Sequence, residues 1–146
     1  MKSLLKEIEN KFEEIEEANV TANLDGGAGD DEITGGAGLD FLSGGTGSDT
    51  FIASVDEDSA DRILDWGTNG STDTMDLSAL LSFDSQNDTL SDFVNFASRS
   101  GALGTLVQVN RDGVGNDWET VFEVDNSDMS SIALNAIIAA GQLIVE

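Results

Sequence analysis

Cysteine, histidine and proline are all absent from this chain of 146 residues. Without cysteine there is no disulfide framework and no thiolate metal site. Without histidine the usual zinc sites, catalytic triads and imidazole general bases are excluded together. Nothing in the pattern explains the missing proline. Positive charge is also scarce: six Lys and Arg stand against 29 Asp and Glu, a formal net charge of −23. So few cations cannot hold a phosphate backbone, which excludes nucleic acid as a partner, and an anionic membrane surface is disfavoured for the same reason. Long apolar runs are missing as well. None approaches the length of a membrane-spanning helix, and charges break up each apolar stretch near the N-terminus, so no Sec signal peptide is expected there. Apolar residues make up 39% of the chain, enough for one modest core. The acid excess leaves two readings: a solvated, disordered chain, or one that folds when cations neutralise it.

What is present decides between them. Residues 26–52 repeat one nine-residue unit without interruption: Gly26-Gly27-Ala28-Gly29-Asp30-Asp31-Glu32-Ile33-Thr34, Gly35-Gly36-Ala37-Gly38-Leu39-Asp40-Phe41-Leu42-Ser43 and Gly44-Gly45-Thr46-Gly47-Ser48-Asp49-Thr50-Phe51-Ile52. Each fits G-G-x-G-x-D-x-U-x, with U a large apolar residue. The glycines permit positive φ, so the chain can turn tightly with its carbonyls facing one point. The Asp at position six brings a hard anionic oxygen to that point, and calcium takes six to eight such oxygens. Positions seven to nine are left for a short strand whose eighth residue points inward. A unit is then half a coil, which places Ile33 and Phe51 on one sheet and Leu42 on the opposite one. Asp31 and Asp49 are expected to share an ion across the first and third turns. Extended backward, the register puts Leu24 inward. Extended forward, it puts Asp58 at position six, so that Asp40 and Asp58 frame a second, poorer site. A flexible Gly-rich linker would not hold a bulky residue and an Asp in fixed phase through successive units.

Around the repeats the chain divides into 1–19, 20–60 and 61–146. Residues 2–18 read as an amphipathic helix, with Leu5, Ile8, Phe12 and Ile15 on one face and Leu4 beside them. All three lysines lie in it, a break in composition that suggests an added segment; of that origin or as a natural helix, it is expected to cap the open end of a solenoid. Asp61 to Trp66 reads as a strand, and Asp76 or Ser78 can start a short helix. Asp61, Asp65, Asp73 and Asp76 either gather another calcium or act as caps and solvated acids. Residues 88–97 fit a helix turning Leu90, Phe93 and Val94 inward. Leu106 to Asn110 and Trp118 to Val124 read as an antiparallel pair. Residues 130–140 read as a short helix or turns, and Leu143 to Val145 as a last strand. The C-terminal half is expected to be a β-rich cap with its own core, built on Trp66, Phe83, Phe93, Phe96, Trp118 and Phe122. The fold class is thus mainly β: a short parallel β-roll with an N-terminal helix and a C-terminal cap.

The three nonapeptides, the Asp-x-Ile-x-Asp-Trp stretch and the Asp-x-Met-Asp-Leu-Ser-x-Leu-Leu stretch resemble the C-terminal domain of RTX (repeats-in-toxin) adhesins. These are large bacterial surface proteins exported by type I secretion. The resemblance is strong over 26–52, fair over 61–81 and weak over 100–146. It departs from the family at Trp66, where Phe is commoner, and in having only three consensus repeats. It implies calcium as the ligand, an extracellular or cell-surface location, and an uncleaved C-terminal signal read by an ABC-transporter system, with Leu143-Ile144-Val145 in the matching place. The chain then reads as the end of a much longer protein, and as a monomer. The metal ligands expected from repeat and register are the carboxylates of Asp31, Asp40, Asp49, Asp58 and Asp65. The carbonyls of Gly26, Ala28, Gly35, Gly36, Ala37, Gly38, Gly45 and Gly47 complete the set.

Two other functions compete. Acids are plentiful enough for carboxylate-pair hydrolysis, but the chain has neither H-E-x-x-H nor G-x-S-x-G, and catalysis is not expected. A calcium-dependent adhesive module gripping carbohydrate or another surface is the alternative. An exposed Trp66 or Trp118 beside an ion would mark it, whereas buried tryptophans would indicate packing.

Overall fold

The computed structural model describes residues 21–54, 59–68, 72–101, 103–127, 129 and 134–146. The expected helix over 2–18 and Asp58 lie outside the described residues. Each nonapeptide forms one turn and one short strand. The strands are β1 (Asn23–Asp25), β2 (Glu32–Ile33), β3 (Phe41–Ser43), β4 (Thr50–Ile52), β5 (Asp61–Ile63), β6 (Thr74–Asp76), β7 (Val94–Ser98), β8 (Gly104–Val109), β9 (Glu119–Asp125) and β10 (Leu143–Ile144), with helix α1 (Leu134–Ala139) before the last.

Consecutive strands of the roll alternate between two sheets, because half a coil reverses the chain. One sheet runs β1-β3-β5-β9-β8-β7 and the other β10-β6-β4-β2. Every pairing is parallel except those of β8 with β7 and β9. Position eight points inward as the period-two rule requires, and its residues stack in two columns. Leu24, Leu42, Ile63 and Val124 align across one sheet. Ile33, Phe51, Met75 and Leu143 align across the other. Apart from Leu24, which is half-buried in β1, all of these are buried.

The C-terminal half does not keep a core of its own. Strand β9 continues the first sheet beside β5, β10 continues the second beside β6, and the buried side chains from Ile33 to Leu143 form a single cluster. Trp66 and Phe83 pack against that cluster only partly buried. Trp66 lies 6.2 Å from Phe51 between ring centroids, and Phe83 meets Phe93 edge-on at 5.4 Å.

Other local differences have local causes. Residues 88–97 are not a helix: a 3-10 turn at Leu90–Asp92 leads into β7, where Val94 and Phe96 are buried and Asn95 is exposed. Five paired positions along β8 outweigh the helical spacing of Leu90, Phe93 and Val94. The 61–66 strand ends at Ile63 and turns before Trp66. At Asp76 no helix begins; its Oδ1 accepts from the Ser78 N–H and hydroxyl, which makes a tight turn. In β9 strict alternation fails because the register with β8 shifts between Val107 and Gln108, so Val121 and Phe122 are both buried.

Candidate metal centre

The glycines of the repeat have two different tasks. Those at positions two and four, Gly27, Gly29, Gly36, Gly38, Gly45 and Gly47, have φ between +90° and +130°, a region that L side chains rarely enter. Those at position one need space instead. A Cβ on Gly26 would stand 2.9 Å from Asp31 Oδ2, and one on Gly44 would overlap Asp49 Oδ2. Gly35 faces two carboxylates, Asp40 Oδ2 at 2.7 Å and Asp61 Oδ2. The first glycine is therefore the floor under a carboxylate oxygen.

The first and third turns stack directly. The Gly29 N–H donates to Thr46 O at 2.8 Å, the Thr46 N–H donates to Gly27 O at 2.9 Å, and Ala28 bridges Thr46 in parallel. Above the turns the aspartates form ladders. Each Asp accepts, on Oδ1, the backbone N–H of the equivalent residue one coil earlier. Ala22 donates to Asp40 at 2.6 Å and Asp40 to Asp61 at 2.9 Å; on the other side Asp31 donates to Asp49 at 3.0 Å and Asp49 to Asp73 at 3.2 Å. The second oxygens are the notable atoms. Oδ2 of Asp31, Asp40 and Asp61 is buried with no hydrogen-bond partner. An ionised oxygen shut away from water carries a large desolvation penalty unless a cation or donor meets it. Carboxylate oxygens, turn carbonyls and no nitrogen or sulfur donor are the set that suits a hard divalent ion such as calcium. Among the described residues no three acidic side chains gather at one point, so any such site is a pair of carboxylates completed by main-chain oxygens.

Asp31, Asp40 and Asp49 stand where the repeat puts them. Asp58 lies outside the described residues, and the place one coil beyond Asp40 belongs to Asp61, 21 residues on rather than 18. On the opposite ladder Asp73 follows Asp49 after 24 residues. The connections after β4 and β5 are longer than the consensus, so counting in nines loses phase. A signal was nonetheless present: Asp61-Arg62-Ile63 and Asp73-Thr74-Met75 repeat the Asp-x-apolar triplet of Asp31-Glu32-Ile33, Asp40-Phe41-Leu42 and Asp49-Thr50-Phe51. Asp61, Asp65, Asp73 and Asp76 do not converge. Asp65 is engaged at the third turn, accepting from Ser43 Oγ at 2.6 Å, Gly44 N–H at 3.0 Å and Gly45 N–H at 2.9 Å. Asp73 Oδ2 accepts the Gly67 N–H at 2.7 Å.

The electrostatics follow from this burial. Burial pushes the Asp61 carboxyl up from 3.8 to about 6; the hydrogen bond from the Asp40 N–H opposes the shift and the neighbouring Asp40 charge adds to it. The arginines cannot relieve the ladders, because all three reach acids of β9: Arg62 pairs with Asp125, Arg99 with Glu123 and Asp125, and Arg111 with Glu119. Trp118 is half-buried and donates to Asn116 Oδ1 at 3.1 Å.

Residues 23–54 match the family model described as RTX calcium-binding nonapeptide repeat (4 copies). No curated protein matches the chain. Among solved structures it is similar to the AlgE6R3 subunit from the Azotobacter vinelandii mannuronan C5-epimerase, with a TM-score of 0.54 and 24% identity over 87% of this chain and 75% of that one. That likeness is one of fold.

Proposed function

We propose that this chain, whose residues 23–54 are RTX calcium-binding nonapeptide repeats, is a calcium-triggered folding module at the secreted end of a bacterial surface adhesin. The observation that carries the proposal is the set of buried, unpartnered Oδ2 atoms on Asp31, Asp40 and Asp61. Bound calcium would supply the positive charge that these oxygens face. Asp31 and Asp49 would hold such an ion, together with main-chain oxygens of Gly26, Ala28, Gly45 and Gly47. Gly35 to Gly38 are the corresponding turn below Asp40.

Magnitudes support a switch. Extracellular calcium modules bind at roughly 10⁻⁴–10⁻³ M. At about ten times its dissociation constant one ion adds ~1.4 kcal/mol of stability, and several reach a few kcal/mol, comparable with the whole stability of a small domain. At cytosolic calcium that contribution vanishes and the stacked carboxylates repel. The chain would then be loose inside the cell and folded outside it, which suits passage through a narrow export channel. The C-terminal strand fits this scheme, since Leu143 is buried beside Met75 once folded, and a transporter can read it only in the unfolded chain.

Far-UV circular dichroism during a calcium titration of the decalcified chain tests the module, with magnesium as control. A cooperative gain of β signal with calcium alone is expected; an unchanged spectrum would remove the basis for the switch. Type I export is tested separately, by deleting Leu143 to Glu146 and measuring secretion, which is expected to stop.

A further inference from the structure

We infer that Asp40 and Asp61 hold a divalent cation of their own, outside the phase of the nonapeptides, and that this is the tightest ion site of the chain and the one that fastens the repeats to the segment after them. The inference rests on the calcium reading above and goes beyond it in pairing, rank and role. Asp61 lies past residues 23–54, the stretch that matches the repeat family.

The geometry is more closed here than at the first and third turns. Asp40 is 1% and Asp61 0% exposed, and each has one oxygen bound to a backbone N–H and the other buried without a partner. Both free oxygens crowd the same point, the place a Cβ of Gly35 would fill. Two ionised oxygens converging on one dry point repel strongly, and a hard cation between them turns that repulsion into ligation. The other pair is weaker on each count. Asp31 is only half-buried, beside a cleft of about 300 Å³ lined also by Leu24, Gly26 and Ile33. Asp73, the next Asp beyond Asp49, has its Oδ2 taken by the Gly67 N–H, so no comparable pair of free oxygens recurs on that ladder.

Position gives the site its role. Asp61 opens β5, the strand that lies between β3 of the repeats and β9 of the C-terminal half. Adjoining it, the Arg62 N–H donates to Asp40 O at 2.8 Å and the Leu64 N–H to Leu42 O at 2.9 Å. A cation bridging Asp40 and Asp61 therefore closes the joint across which these two bonds form.

The test is calorimetric calcium titration of the full decalcified chain as wild type, Asp61→Asn, Gly35→Ala, Asp31→Asn and Asp58→Asn, with amide hydrogen exchange at saturating calcium. Asp61→Asn and Gly35→Ala are each expected to weaken the tightest step by about tenfold or more, since affinity of an oxygen cage follows ligand charge and fit. Asp31→Asn is expected to leave that step in place and weaken a later one, and Asp58→Asn to titrate as wild type. In Asp61→Asn the Arg62 and Leu64 amides lose protection while those of β7 and β8 keep it, which separates an opened joint from a chain that fails to fold. A tightest step unmoved by Asp61→Asn and Gly35→Ala, or abolished by Asp58→Asn, overturns the inference and leaves the calcium reading standing. Absence of any calcium heat in the wild type overturns both.

Discussion

In calcium-free protein, Asp61 should make the fold more stable in mild acid than at neutral pH, the reverse of ordinary acid denaturation. Its carboxyl is pushed up to about 6 in the folded chain, first by burial, against about 3.9 when unfolded. The folded state thus holds the proton more tightly. That advantage is complete below about pH 4 and lost as pH rises through about 6, where the carboxylate must ionise in a dry site beside Asp40. A shift of about two pKa units corresponds to ~3 kcal/mol, a large share of the roughly 5–15 kcal/mol that holds a domain together. Because the calcium-free chain is loose, folding is driven by an excluded osmolyte, and the osmolyte midpoints of decalcified wild type and Asp61→Asn at about pH 5 and about pH 7.5 measure it. Every other ionisable group is common to both proteins, so the decisive quantity is the difference between the two. Between these two pH values wild type should gain ~1.4 kcal/mol more than the variant, about half of the full effect, since pH 5 lies between the folded and unfolded values. Equal pH dependence in the two would refute the reasoning, because the charge on Asp61 would then be immaterial to folding.

Three further outcomes are expected. Gly45→Ala should lower stability more than Gly27→Ala, as thermal melts in calcium will register: both replace a residue of positive φ, costing about 1–2 kcal/mol, but only the Gly45 methyl meets the carbonyl of Gly27. Leu42→Ala removes a side chain with no exposed surface from the middle of its column and should cost about 2–5 kcal/mol in denaturant unfolding. Leu24→Ala, half-buried at the end of the same column, should cost less than half as much. Asp65→Ala should lose about 2 kcal/mol with its three hydrogen bonds to Ser43, Gly44 and Gly45, yet leave the number of calcium ions per chain unchanged by native mass spectrometry.

The roll was legible because three demands recur at fixed spacing: glycine where φ is positive, Asp at the turn's end, and a bulky residue two further on. These place Ile33, Leu42 and Phe51 in their sheets without reference to anything distant. Counting fails where the spacing stops being constant. Asp61 and Asp73 regain the ladders only after connections of irregular length, and the longer paths are recognisable by the triplet Asp-x-apolar rather than by counting. The first glycine of each unit looks like a conformational residue and is a steric one, because its neighbour is a carboxylate from its own turn or from a coil away. Residues 90–96 carry a helical spacing at Leu90, Phe93 and Val94 and a strand spacing at Val94 and Phe96, and the partner β8 decides between them. Val121 is buried through a slip against β8 that no property of β9 alone announces.

The alternation of units between two sheets limits how such a chain can change length. Equivalent aspartates within the repeats lie 18 residues apart, two units, because a single unit ends on the opposite wall. Gain or loss of one nonapeptide would make every strand on one side of the change trade walls relative to those on the other. Loss of the third unit, for example, would set Leu42 beside Met75 and Asp40 against Asp73. Gain or loss of two restores each strand to its own wall, one storey higher or lower. Heritable change in such a protein therefore obeys a parity rule, with whole coils as the unit of inheritance.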